Sequence, residues 1–259
     1  LGLILDLKTD EVIVDHTSKE HLHTTEKGNP VLSRLGPMQV HSVFRRLKAS
    51  GKNRRNRSAK QIGDNCPLIY ALKGSENLWV SRHSIKQLNT YIPLIISTIC
   101  DALEGDVDCI VLIPSRHPLA KMLASRLGKA IGIPVHEHIF RKATFFEAST
   151  RVRALLGNKA NIIGAGVSPD DEKRLRRIVK VGMQQAAAPY SAKDIGTSLR
   201  QHFDPLKFRG GASPLGAEDR VLFVDDLLAT GETLLAAHDL LYGPGEQTSS
   251  RAATWFSKV

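Results

Sequence analysis

Apolar and polar positions alternate through LILDL (residues 3–7) and EVIVD (11–15), and this period of two predicts a β-hairpin. In residues 37–49 the apolar positions Val40, Val43, Phe44 and Leu47 fall on one helical face, with Arg45, Arg46 and Lys48 off it, so the spacing predicts a helix. The stretch GKNRRNRSAK, from Gly51, has no apolar residue except Ala59 and reads as a solvated loop and a boundary. Beyond Asp64 the texture changes. CPLIYALKG reads as a short buried strand. Residues 88–103 read as a largely buried helix, with Pro93 accommodated in its first turn. DCIVLIP (108–114) is a continuous apolar run, as in a strand covered on both faces. Leu119, Met122, Leu123, Leu127 and Ile131 then make a helical stripe that Gly132 ends, and 133–139 reads as the next strand. Strand, helix, strand implies a crossover and a parallel sheet.

Residues 140–200 hold no single clean period, except that Ser168 caps a helix over 168–181 with acids early and basic residues late. A strand over 220–224, a helix over 231–241 and a last strand over 251–257 complete the reading.

Composition leaves this an ordinary globular chain of 259 residues, 42% hydrophobic and 24% charged, which argues against disorder, collagen or coiled coil. The longest apolar run, residues 91–100, is too short for a bilayer and contains Pro93. The first residues lack a basic lead and a cleavage pattern, so no secretory signal is expected. Cys66, Cys100 and Cys109 are isolated, without the spacing of a disulfide framework or zinc site; a reducing cytoplasm fits them best. Charge adds more. Ten basic residues and no acidic one lie between Lys27 and Gly63, and without them the chain holds 26 basic against 26 acidic residues. The whole excess of +10 therefore sits in one segment, which reads as a patch for polyanions or as a solvated loop. Arg54, Arg55 and Arg57 are its candidate nucleic-acid contacts, and binding through phosphates would fall steeply with salt. His16, His21 and His23 are loop histidines or metal ligands, and no Cys or carboxylate spacing supports a metal site. His136 and His138 alternate and read as ordinary polar residues. Lys73, just before Gly74, reads as a surface lysine, with contact to a phosphate as the alternative.

The chemistry concentrates in VLFVDDLLATGET, residues 221–233. An apolar strand ends in Asp225 and Asp226, then turns into a helix at Thr230, Gly231 and Thr233. Ligands of open α/β sheets bind beyond the carboxyl ends of the strands. A helix N-terminus offers unpaired N–H groups to a phosphate, Gly lets backbone approach it, and hydroxyls add donors. Two carboxylates suit a sugar diol or a nearby cation. Together these groups describe a site for a phosphorylated ribose.

This string resembles the phosphoribosyl-pyrophosphate (PRPP) motif of type I phosphoribosyltransferases, in which an apolar strand leads to two acids and a Thr-Gly-x-Thr loop. The resemblance implies that Asp225 and Asp226 are the catalytic pair, holding the ribose 2′- and 3′-hydroxyls and lying near Mg²⁺ as its candidate ligands. It implies that Ala229, Thr230, Gly231, Glu232 and Thr233 wrap the 5′-phosphate, with Glu232 where the family often has Gly. Ser115, Arg116 and His117, after DCIVLIP, would contact pyrophosphate, and Arg141 and Lys142 would join from a mobile loop. The wider pattern, over residues 66–259, is loosely similar to the competence-associated ComF group. Members resembling that group occur in DNA uptake and in bacterial defence cassettes, including retron-associated ones.

The fold expected is α/β, a mainly parallel sheet flanked by helices on both faces. Residues 1–65 would form a basic N-terminal extension, 66–259 a phosphoribosyltransferase-like domain, and parts of 1–65 and 140–200 a hood. Two functions stand open. One is an enzyme that binds PRPP with Mg²⁺ and transfers phosphoribosyl to an unidentified acceptor. The other is a non-catalytic PRPP- or nucleotide-sensing module, or part of a nucleic-acid complex. The partners expected are PRPP, the acceptor and a nucleic acid or nucleoprotein at residues 27–63, with no membrane; the oligomeric state stays open.

Overall fold

The computed structural model describes residues 2–18, 20–47, 66–192, 195–210, 215–216, 219–246 and 250–258. The chain forms two compact units: Leu1–His136 with Asp219–Ala229 and Thr248–Val259, and Glu137–Glu218 with Thr230–Gln247. They do not divide at residue 65.

In the first unit, β1 (Gly2–Asp6) and β2 (Glu11–Asp15) pair antiparallel as the alternation requires. The main sheet is built from β3 (Val31–Leu35), β4 (Met38–Phe44), β5 (Cys109–Leu112), β6 (Val135–His136), β9 (Val221–Leu227) and β10 (Ser250–Phe256). Its order is β3-β4-β10-β9-β5-β6, antiparallel only between β3 and β4. The segment expected as an extension thus supplies two strands of the sheet. The α/β class and the mainly parallel sheet hold.

Two elements exchange identity with respect to the sequence reading. Residues 38–44, expected as a helix, are strand β4. It runs between β3 and β10 with nearly every side chain buried, so apolar residues fall at Val40, Val43 and Phe44 and imitate a helical face. His41 and Ser42 are buried there too, and Ser42 Oγ lies 2.8 Å from Thr254 Oγ1 on the neighbouring strand. Conversely, CPLIYALKG is not a strand. It forms helix α1 (Pro67–Leu72), with Pro67 in the first turn, where its fixed φ is suited and its missing N–H costs nothing.

Helix α2 (Arg82–Leu103) starts earlier than expected, at a Ser81 cap that accepts from the Ser84 N–H. Pro93 therefore lies inside the helix, not in its first turn. Leu88, Ile92, Ile95, Ile96, Ile99 and Leu103 face the core. Helix α3 (Leu119–Ile131) buries Leu119, Leu123 and Leu127, while Met122 of the expected stripe is 45% exposed. Gly132 ends it at φ +83°, a left-handed conformation that glycine adopts without a Cβ penalty. Helices α2 and α3 pack on one face of the sheet, and Val40, Val111, Phe223 and Ala252 of the other face are buried as well. Among the described residues no helix is long and apolar enough to cross a membrane.

The second unit has its own core. Strands β7 (Phe140–Lys142) and β8 (Leu206–Phe208) pair antiparallel. Around them lie α4 (Phe145–Ala148), α5 (Thr150–Leu156), α6 (Lys159–Gly164), α7 (Pro169–Gly182) and α8 (Glu232–Tyr242). Ser168 caps α7 as its sequence requires, accepting from the Asp171 N–H. Val152, Leu156, Ile162, Leu175 and Phe203 fill the core, where Tyr190 and Phe203 stack with ring centroids 5.6 Å apart.

An ion pair braces this unit. Arg141 grips Glu147 with both arms, at 2.6 and 2.8 Å, and Glu147 closes a capping box with Thr144. These bonds, above all those from Arg141, pull the Glu147 carboxyl from 4.5 to about 2. The folded value lies below the unfolded one, so the stability from Glu147 is complete above about pH 4.5 and is lost as pH falls toward 2. Glu147→Gln should therefore melt earlier than the parent near neutral pH, with the gap closing in acid. A gap that stays constant in melting curves down to about pH 2 would contradict this assignment.

Candidate functional site

Strand β9 carries the acid pair. Its first four residues are fully buried, and Asp225 and Asp226 follow within the strand; Asp225 is still in register with Thr254 of β10. The acids are thus held by sheet pairing and do not project beyond the strand as the sequence reading had them. Neighbours on a strand start toward opposite faces, so one sugar reaches both carboxylates only past the end of β9 at Leu227. Asp225 Oδ1 accepts from the Asp226 backbone N–H at 2.7 Å.

Asp226 is the better enclosed of the two, 8% exposed. Its Oδ2 receives two donors. Lys73 Nζ lies 2.8 Å away, and Ser115 Oγ donates across 3.3 Å. Lys73 comes from the end of α1, where its backbone N–H bonds to the carbonyls of Ile69 and Tyr70 at 3.1 Å. Sequence reasoning placed this lysine on the surface, but its side chain is only 21% exposed. Its one signal was its position, at the end of an apolar segment before Gly74. Ser115 comes from the loop after β5, and its Oγ also accepts the His117 N–H at 3.3 Å. Strands β5 and β9 are parallel neighbours, so the loop after β5 comes beside the end of β9. Ser115 and the acid pair are therefore brought together as expected, with Arg116 exposed in the same loop.

A half-buried arginine steadies the same end of the sheet. Arg46, following β4, donates from Nη2 to the Leu228 carbonyl at 3.3 Å and from Nε to the Ser257 carbonyl, and its backbone N–H bonds to Ser257 Oγ. It is one of the ten basic residues of the charged segment, and this structural task removes it from any solvated patch. Arg54, Arg55 and Arg57 lie outside the described residues, as does the loop read as a boundary.

In the second unit, Gly231 precedes α8 at φ +82°. A left-handed residue at a helix start is cheap for glycine and costly for a β-branched side chain. The Glu232 N–H faces Thr230 Oγ1 at 3.5 Å, and the side chains of Thr230 through Thr233 are partly exposed. The left-handed glycine opens an eleven-residue helix, whose first N–H groups have no partner within the helix.

Arg141 and Lys142 are not in a mobile loop. They lie on β7, and the Arg141 guanidinium is committed to Glu147. The pair expected in a loop is part of a strand, and its arginine has a structural partner.

Burial disfavours the thiolate form of the cysteines. Cys66, Cys100 and Cys109 are free cysteines, and burial pushes Cys66 up to about 12 and Cys109 to about 11. Among the described residues no three His, Cys, Asp or Glu side chains gather as a metal site, His16, His21 and His23 included. His16 Nδ1 instead lies 2.9 Å from Thr24 Oγ1. At Asp226 the Oδ2 position does not suit a directly bound Mg²⁺, because that oxygen already holds an ammonium group whose charge would repel the ion.

No family model, curated protein or solved structure matches the chain.

Proposed function

We propose that the chain binds PRPP along residues 225–233 and transfers its phosphoribosyl group to an acceptor. The observation that carries this reading is the order of parts on the chain. A buried parallel strand carries two adjacent carboxylates just before its last residue, and a left-handed glycine opening a helix comes five residues after the second. Asp225 and Asp226 accept hydrogen bonds from the ribose 2′- and 3′-hydroxyls. Residues Ala229, Thr230, Gly231, Glu232 and Thr233 bind the 5′-phosphate through backbone N–H groups and the two hydroxyls. Ser115, Arg116 and His117 face the pyrophosphate. The bond from C1 to the pyrophosphate oxygen breaks with its electron pair leaving on pyrophosphate, and an acceptor nucleophile forms the new bond to C1. The protein contributes position and charge in place of a covalent intermediate.

One observation favours a second reading, a PRPP-sensing module without turnover. Arg141, expected at the pyrophosphate, is tied to Glu147, which leaves Arg116 as the arginine of that group. Isotope-labelled PRPP, offered with mixtures of metabolites or nucleic acids, separates the two. Pyrophosphate release with a labelled product is the expected result. Tight binding without turnover would establish the sensor, and absence of PRPP binding would exclude both.

A further inference from the structure

We infer that Lys73 is the built-in cation of the acid pair, occupying the place that a divalent metal ion would take at Asp226. The inference rests on the PRPP reading for the identity of the ligand, and on the geometry of Lys73 for everything else. Nζ stands 2.8 Å from Asp226 Oδ2, with the two side chains 21% and 11% exposed. Little water screens a pair so enclosed. The lysine is not reaching in from a floppy segment. Its backbone closes α1, whose Pro67, Leu68 and Ile69 are buried in the core, and Ser75 N–H bonds back to the Tyr70 carbonyl just beyond it. Ser115 Oγ donates to the same carboxylate oxygen. Oδ2 is thus saturated by two donors supplied by the chain, one of them charged. A divalent ion ligated there would need the same lone pairs and would meet a fixed positive charge within a few ångströms.

The consequence concerns ligand binding. With Lys73 in place, Asp226 enters the site already neutralised. Recognition of a sugar diol by the pair therefore needs no metal ion to offset two adjacent negative charges. Lys73 acts through Asp226 and is a positioning residue in this scheme.

Mn²⁺ alone, titrated into the full chain and followed by the loss of its free-ion EPR signal, tests the first half without any sugar. The parent should bind Mn²⁺ weakly. Lys73→Met, which keeps the length and removes the charge, should bind it about tenfold tighter, the order expected for losing one nearby unit charge. Lys73→Arg should behave as the parent, which controls for folding, and adding Asp226→Asn to Lys73→Met should cancel the gain. Equal Mn²⁺ affinity in parent and Lys73→Met, or a gain that survives Asp226→Asn, would overturn the inference. Calorimetry with ribose 5-phosphate tests the second half. Parent affinity should be the same in Mg²⁺ and in EDTA, whereas Lys73→Met should bind weakly in EDTA and recover with Mg²⁺. A parent that requires Mg²⁺ for this sugar would overturn the inference. A parent that binds no ribose 5-phosphate would overturn the PRPP reading, and the Mn²⁺ titration would then decide the role of Lys73 by itself.

Discussion

The double variant Asp225→Asn, Asp226→Asn should lose PRPP affinity by at least about a hundredfold. Each carboxylate is assigned one ribose hydroxyl, and a hydrogen bond to a charged group contributes about 1.5–3 kcal/mol. Two of them together, about 3–6 kcal/mol, correspond to about two to four decades in Kd. The variant will also be less stable than its parent, because Asp226 is the partner of a largely enclosed ammonium group. Removing one member of such a pair leaves the other stranded, at about 1–3 kcal/mol for a group that keeps some contact with water. Circular dichroism and a melting curve on the same sample separate the two effects. Calorimetry that finds the parent's PRPP affinity in a folded double variant would remove the acids from the ribose site.

Gly231→Val should abolish ribose 5-phosphate binding while weakening the fold only modestly. At φ +82° a β-branched residue is strained by about 1–2 kcal/mol, and its side chain stands where a phosphate must approach the backbone. Ribose 5-phosphate reports on the 5′-phosphate and ribose alone, so a pyrophosphate defect cannot mimic the result. Equal binding by parent and variant would place the anion elsewhere. A melting temperature lowered by several degrees with binding intact would leave Gly231 a purely conformational role.

What could be read from the residues followed the physics of each segment. Strands β5, β9 and β10 announced themselves because a strand covered on both faces is a continuous apolar run, which CIVL, VLFV and AATWF supply. Helix α7 was legible through its cap, since Ser168 and the acids behind it act locally. Strand β4 and helix α1 were misread for one reason. Their identities depend on what packs against them, and six or seven apolar-rich residues serve as either element. At the site, the acids and the Gly231 turn were legible because a contiguous string encodes them. The partners of Asp226 were less so. Ser115 comes from a strand end 111 residues away, and Lys73 from a helix that had been read as a strand. Arg141 shows the converse, since its commitment to Glu147 rests on a capping box that the unclear periodicity of residues 140–200 had hidden.

The position of β10 in the sheet has a bearing on how the protein is made. It lies between β4 and β9, and the buried contact of Ser42 with Thr254 joins positions 212 residues apart. While the chain emerges from the ribosome, β4 therefore has only β3 beside it, and its other edge stays open until β10, 212 residues on from Ser42 at Thr254, has been synthesised. Pairings of such long sequence separation form slowly, and an apolar strand edge left waiting is a template for association with other chains. The exposure to misassembly thus falls on a nascent chain that already contains both acids of β9 but lacks the strand that joins β9 to β4.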